Sequence, residues 1–540
     1  MCFWTINAVA RYFTRPCMLW ICFVLSLTTG STISALEKEP ALGKTGAKTG
    51  FLLIAPDRGF LGNQDIQDVF MAFKSTYPAA LAFAGREYSG AGGDYSGYLI
   101  RAIDELKRGG ASHIVAIPLF LTAADPLLKK SVARLASSGS QGITVRWAPP
   151  LAQNYLTAQI LLDRVASLSQ DSAQERLVIV GLGAVDEDSE QAIRSDLERM
   201  SRYVARYRPI REIQIGIYYD RGAEAGLRER KNQAVDDLVI KTAARKGKTL
   251  LVPFFIGPRY DSHMSMTHGL KVKFSEFDVA YDAQEILPHP NVLLWLKKTA
   301  NHYLAAAPQE TGIMIMPHGA NQPYNDAVEQ IIAPLKSRYR VEMAYGMADA
   351  ETLRRSVMRL EAAGVRHIVF VRLYSLSHQM KGLSDYVLGL SEIPPDESHD
   401  HGGHDASATF TPPPPQVRSQ AVFSTFGGYE EAPSLAAILD ERIKEISKDP
   451  PTETIILVAH GSEDDADNAQ WLTVMNGHIK QLAQKPEYRR FRAIQAITIR
   501  EDWAEKREEA LARLREMIQQ GNQNGGKVLL VSNRLHGGGP

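Results

Sequence analysis

Beyond Cys22 the chain has no cysteine, and its three, Cys2, Cys17 and Cys22, all lie within the first 35 residues. Without that segment, disulfides, iron–sulfur clusters and thiolate metal sites are excluded, which leaves histidine, carboxylates and carbonyls as metal ligands. An excess of one charge is missing too: 61 Lys and Arg balance 61 Asp and Glu. No global field therefore draws the chain to nucleic acid or to an anionic membrane. The apolar run Met18–Leu27 is short of the ~20 residues that a spanning helix needs. Phosphate-binding signatures are also absent. The glycine-rich stretch SGAGGDYSG (89–97) has neither G-x-G-x-x-G nor the P-loop lysine, and reads as a helix-entry turn. No Ser-His-Asp set and no basic, aromatic-lined surface stands out.

The N-terminal segment has its own logic. Arg11 and Arg15 precede the apolar run, and the small, polar TTGSTISA follows it. This is the layout of a secretory signal with cleavage after Ala35. Its rival is an uncleaved anchor formed by residues 16–35. The LWIC around Cys22 lacks the small residues expected before a lipidated cysteine. Residues 1–35 are thus read as a signal peptide or N-terminal anchor and 36–50 as a linker. Export, to the periplasm, is expected, with membrane contact only through the N-terminal segment if it stays uncleaved.

What is present, in quantity, is one alternating pattern. At 540 residues with 44% apolar and 23% charged side chains, the chain exceeds one hydrophobic core and suggests roughly three to four units. From Phe51 onward, short Val/Ile/Leu-rich runs alternate with helix-length polar segments, as βαβ units require. In the first copy the runs are FLLIA (51–55), ALAFAG (80–85), HIVAIPLFL (113–121) and ITVRWA (143–148), with helices expected near 64–77, 95–109, 125–137 and 153–169. The cycle restarts at RLVIVGLG (176–183), GIMIMP (312–317) and TIILVA (454–459), a repeat of roughly 120 to 140 residues. Strands so rich in branched side chains suit a parallel sheet buried on both faces. The fold class is α/β: four flavodoxin-like βαβ half-modules with parallel sheets of order 2-1-3-4. Half-modules 51–170 and 176–306 are expected to pair over residues 51–306, and half-modules 312–448 and 454–540 over residues 312–540. The last copy has no helix and fourth strand after VLLVSN (528–533). The third copy carries an insertion, PPDESHDHGGHDASATFTPPPPQ (394–416), whose Pro, Gly and Ser density predicts an exposed loop.

Two first strands end in the same dipeptide, IMIMPHG at His318 and ILVAHG at His460, and in both copies the third strand also runs into a histidine, His378 and His536. With strand order 2-1-3-4, residues just past strands one and three face one crevice at the switch point. His318 is therefore expected opposite His378, and His460 opposite His536. The corresponding places in the first copy hold Asp57 and Asp125, and in the second His263 follows the third strand without a first partner. HMSMTH (263–268) spaces its histidines off one helical face and is a poor zinc pattern.

The strand ends AHGSEDDADNAQ and PHGANQPYNDAV, together with PLFLTAADPLLKK, VRLYSLSHQMKG and SNRLHGGGP, resemble the class II tetrapyrrole chelatases, the sirohydrochlorin cobaltochelatase and ferrochelatase group. The resemblance is fullest in residues 312–540, partial in 51–150 and faint in 176–305. It implies four half-modules, two per chelatase-like domain, and a pair of histidines that holds the incoming metal and helps remove pyrrole protons. Those roles fall on His318 with His378 and on His460 with His536, as catalytic and metal-binding residues. The metal, Co, Ni or Fe, would be a substrate, the tetrapyrrole the partner, and the active unit a monomer or a homodimer.

The chemistry agrees with the residue types. Insertion of a divalent cation releases two pyrrole protons, and imidazole is both a ligand for first-row cations and a base near neutrality. Glu463, Asp464, Asp465 and Asp467 beside His460 either guide the cation or form an ordinary acidic helix N-terminus. His399, His401 and His404 in the insertion, interleaved with Asp400 and Asp405, suit transient metal capture. Two readings follow. One is a chelatase that inserts its metal into a sirohydrochlorin-type ring. The other is an exported metal-binding or metal-delivery protein on the same scaffold without turnover. The N-terminal half, which lacks the histidine pairs, is expected to shape or cover the site without supplying ligands.

Overall fold

The structure, a computed structural model, describes residues 48–85, 96–137, 143–257, 265–319, 322–395, 410–429 and 432–534. The N-terminal segment 1–35, His263, His399, His401, His404 and His536 lie outside the described residues. No helix among the described residues is long and apolar enough to cross a membrane.

Four parallel sheets follow one another along the chain. The first half-module contains β1 (Thr49–Pro56), α1 (Gly59–Lys74), β2 (Ala79–Ala84), α2 (Ser96–Arg108), β3 (His113–Pro118), α3 (Pro126–Ser137), β4 (Thr144–Trp147) and α4 (Tyr155–Leu168). The second contains β5 (Arg176–Ala184), α5 (Glu187–Tyr207), β6 (Glu212–Tyr219), α6 (Ala225–Ala243), β7 (Thr249–Pro253), α7 (Met266–Lys273), β8 (Val279–Ala280) and α8 (Pro290–Tyr303). The third runs β9 (Thr311–Pro317), α9 (Gln322–Lys336), β10 (Arg340–Met343), α10 (Ala350–Ala362), β11 (His367–Leu373), α11 (Lys381–Val387), β12 (Val422–Gly427) and α12 (Pro433–Ile446). The fourth has β13 (Glu453–Ala459), α13 (Asp465–Ala483), β14 (Ala493–Thr498), α14 (Ala504–Gly521) and β15 (Lys527–Ser532).

Three sheets have the order 2-1-3-4 and the fourth has the order 2-1-3, all pairs being parallel. The expected α/β class and strand order are observed. Among the described residues β15 pairs on one side only: Leu530 is 49% exposed, whereas β3 and β7, each flanked on both sides, are almost wholly buried.

The first strands are apolar on both faces because helices cover both. Leu52 and Ile54 of β1 pack under α2 and α3, while Phe51, Leu53 and Ala55 enter a second layer that continues into Leu177 and Ile179 of β5. Each fully buried side chain of this kind contributes about 1.5–3 kcal/mol. The shared layer arises by helix exchange. Helix α4, which follows the first sheet, packs on α5 and β7 of the second. Helix α8, which follows the second sheet, packs on α1 and β3 of the first. Asn154 caps α4 through Leu156 N–H, and His289 with Pro290 starts α8. In the second half of the chain the exchange runs one way: α12, from the third half-module, packs on α13 and β15 of the fourth. Apolar clusters there stay with their own sheets, apart from α12 and Leu376 of the third half-module, which join the fourth.

The insertion departs from its expected exposure at one end. Gln416, 4% exposed, donates to the carbonyls of Tyr386 and Ser391, 2.9 Å each. Its neighbour Val417 accepts from Tyr155 Oη at 2.7 Å, and the Gln416 carbonyl from Gln159 at 3.0 Å. Extended, proline-rich backbone leaves its carbonyls unpaired, and here the side chains of α4 satisfy them. The same joint includes Tyr207 against Tyr386 at 2.6 Å and Lys298, whose ammonium donates to Ala421 O and sits over the Phe423 ring. Burial pulls Lys298 down to about 8 and lowers His302 and His367 as well. Those two histidines belong to the joint, with His367 Nε2 on Asn301 O at 3.0 Å.

Candidate functional site

The dipeptide His-Gly is explained by backbone geometry. Gly319 and Gly461 have φ of +80° and +86°, the left-handed region that glycine enters without a Cβ penalty. At Gly461 a Cβ would also lie 2.6 Å from Asn468 Oδ1 and 2.7 Å from Thr498 Cβ. The turn folds the glycine carbonyl back onto the preceding ring. His318 Nδ1 lies 2.8 Å from Gly319 O, and His460 Nδ1 lies 2.8 Å from Gly461 O. A carbonyl only accepts, so Nδ1 carries the hydrogen in both copies and Nε2 becomes the outward position.

What Nε2 meets differs between the copies. His318 is exposed, with the Tyr374 ring edge-on at 6.1 Å. His460 Nε2 meets Asp502 Oδ2 at 2.9 Å and Glu501 Oε1 at 3.7 Å, with Trp503 edge-on at 5.7 Å. The ring thus has a carbonyl at Nδ1 and a carboxylate at Nε2. Glu501 is held in turn by Arg534 through two contacts, 2.9 and 2.7 Å.

The strand-end loop is fixed by Arg500, a non-glycine residue at φ +51° and 9% exposed. Its Nε donates to Ser462 O at 2.6 Å, its Nη2 to Glu463 O, and Nη2 also meets Asp465 at 2.7 Å. A left-handed arginine costs about 1–2 kcal/mol, which these contacts offset. Among the acidic run, Asp464 caps α13 through Asp467 N–H at 2.8 Å. Hydrogen bonds from Lys506 and Arg500 hold Asp465 below the usual carboxylate range.

His378 Nε2 pairs with Asp467 Oδ1 of the next half-module at 3.0 Å, both side chains 40% exposed. Among the described residues no contact joins His318 to His378. His378 thus bridges the third and the fourth half-modules. The partner of His460 in the expected pair, His536, and the insertion histidines lie outside the described residues. Glu501, Asp502 and Arg534 were not singled out from sequence. Their signal is the charged TIRED directly after β14, at the same end of the sheet as the HG turn.

The N-terminal crevice is built otherwise. Asp57 Oδ1 accepts from Gly59 N–H and Asn63, each at 2.9 Å. Asp125 Oδ1 starts α3 through Leu127 and Leu128 N–H, at 2.8 and 3.4 Å. Burial raises Asp125, the Arg58 guanidinium opposing it. Glu285 is pushed up to about 8 by burial, against a hydrogen bond from Thr267.

Among the described residues no three His, Cys, Asp or Glu side chains converge closely enough to cage an ion. At His460 one imidazole nitrogen and one carboxylate, Asp502, stand within hydrogen-bond distance of each other, and the second carboxylate, Glu501, is turned to Arg534.

No protein-family model and no curated protein matches the sequence. Among solved structures, the sirohydrochlorin chelatase SirB from Bacillus subtilis subspecies spizizenii in complex with cobalt is 14% identical, with a TM-score of 0.35, over 47% of this chain and 95% of that one. SirB from Bacillus subtilis with Fe3+ gives 15% identity and a TM-score of 0.36 over 47% and 94%. DR2241 from Deinococcus radiodurans, a multi-domain protein with structural similarity to chelatases, gives 14% and 0.31 over 47% of this chain and 55% of that one.

Proposed function

We propose that this protein binds a divalent metal, Co, Ni or Fe, at its strand-end histidines and inserts it into a sirohydrochlorin-type tetrapyrrole. The observation that carries the reading is the pair of HG turns. Each directs a histidine Nδ1 onto its glycine carbonyl and leaves Nε2 outward, and at His460 that nitrogen faces two carboxylates. Insertion needs a ligand that releases the metal and acceptors for two protons. Nε2 of His460 is the ligand; as the pyrrole nitrogens take the metal, Asp502 accepts one proton and the released imidazole nitrogen the other. His318, His378 and His536 are assigned as further metal-binding and catalytic positions, and His399, His401 and His404 as a capture segment. The basic and apolar N-terminal segment, read as an export signal or an anchor, supports a location outside the cytoplasm.

A second reading is a metal-binding or metal-delivery protein without turnover. The first half-module favours it, because the positions that correspond to the histidine pairs hold Asp57 and Asp125, both engaged by backbone. Incubating the protein with sirohydrochlorin and Co2+ separates the two. Turnover is expected to shift the tetrapyrrole absorbance, with the shift abolished in His460→Ala. Stoichiometric Co2+ binding with no spectral change would leave delivery as the function.

A further inference from the structure

Beside His460 stands an arginine that no insertion chemistry requires. Arg534 follows β15 and grips both oxygens of Glu501, Nη1 to Oε1 at 2.9 Å and Nη2 to Oε2 at 2.7 Å. The two side chains are 21% and 20% exposed. A forked, partly buried pair of this type is the strong form of the ion pair. Arg534 is itself anchored. Its carbonyl and that of Ser532 accept from Arg442 Nη1 at 2.9 and 2.6 Å. Arg442 lies on α12, the helix that the third half-module lends to the fourth sheet. The guanidinium is thus located by a neighbouring half-module.

Glu501 Oε1 is only 3.7 Å from His460 Nε2, close enough to join a cation bound there. Both of its oxygens are already engaged. A carboxylate shared with a guanidinium attracts a cation less, and the fixed positive charge behind it repels one directly. Asp502, 60% exposed, is the weaker, better solvated alternative. We propose that Arg534 sets how loosely this site holds its cation, by withholding Glu501 from it. Arg534 acts through Glu501 and is a positioning residue. The inference rests on a cation binding at His460, and it adds the reason that such a cation is released to an acceptor: the better buried of the two neighbouring carboxylates is kept occupied.

The test is a Co2+ titration of the wild-type protein, Arg534→Met, Glu501→Gln and the double variant, followed calorimetrically and by the visible absorption of bound Co2+. Arg534→Met is expected to bind Co2+ about tenfold more tightly, the gain that corresponds to 1.4 kcal/mol. The double variant is expected to lose that gain, because the freed carboxylate is its source. Unchanged or weaker binding by a folded Arg534→Met overturns the proposal and makes Arg534 a residue that orders Glu501 as a ligand. If Arg534→Met does not fold, Arg534→Lys decides: it loses the fork, so tighter binding supports withholding and unchanged binding overturns it. Failure of the underlying reading looks different. In that case wild type and His460→Ala bind Co2+ alike, or neither binds it, whatever residue 534 is.

Discussion

The two halves of this chain repeat one fold and differ in what their strand ends do. In residues 49–303 both crevice carboxylates of the first half-module are engaged by the backbone: Asp57 closes a turn and Asp125 starts a helix. The sheets there share one apolar layer. In residues 311–532 the strand ends carry imidazoles whose outer nitrogens face carboxylates or solvent, and the clusters are mostly confined to single sheets. A carboxylate at the end of a strand becomes a cap when amide N–H groups are nearby, whereas imidazole, turned by a left-handed glycine, keeps one nitrogen for solution. The same scaffold thus ties its strand-end side chains to the backbone in one half and leaves imidazole nitrogens outward in the other.

Several substitutions sharpen or break that contrast. The largest effect is expected where the halves meet. Tyr155→Ala removes a buried ring and its hydrogen bond to Val417 O, which should cost about 3–5 kcal/mol. Urea unfolding should then separate into two transitions, and a single unshifted transition would show that the joint adds nothing. Next is the site itself: His460→Ala should weaken Co2+ binding at least ~100-fold, while Asp57→Ala in the first half should leave binding unchanged. Equal losses in both variants would erase the distinction between the halves.

A pH effect is expected from Glu285 of the first half. Burial pushes Glu285 up to about 8 on folding, well above the ordinary carboxylate range, so between those two values the native state holds a proton that the unfolded state has lost. Its contribution is full below about pH 4.5 and declines as pH climbs towards 8, by at most about 1.4 kcal/mol per unit. Urea midpoints compared across that range in wild type and Glu285→Gln should show the slope flattening in the variant. Smallest is Asp186→Ala, which removes the capping box of α5 and should cost about 1 kcal/mol in a thermal melt without touching metal binding.

Much of this was legible in the sequence, for physical reasons. Runs such as FLLIA and TIILVA, apolar on both faces and alternating with helix-length polar segments, suit covered parallel strands, so the α/β class and the fourfold repeat follow. The HG dipeptides mark a left-handed turn that a strand-end histidine alone would not. Less was legible wherever contacts cross between half-modules. The amphipathic pattern of α4 or α12 says that one face is buried, and nothing in it says which sheet buries it. His378 was expected to face His318 within its own half-module, yet its described partner is Asp467 on α13. Glu501 and Asp502 were passed over because charged residues after a second strand look like solvated loop. Gln416 lies in a segment whose composition predicts exposure, and only the unpaired carbonyls of an extended chain explain its docking.

Helix exchange also has a consequence for how the molecule can be divided. A cut between Leu168 and Arg176 looks like a clean boundary on paper, since it falls between two complete βαβ cycles. It would strand α8 with the wrong fragment and leave β3 and α1 facing water. Neither fragment would be a protein in its own right. The smallest separable piece of the first half is therefore the crossed pair, and a gene encoding one copy alone would specify an unfinished core.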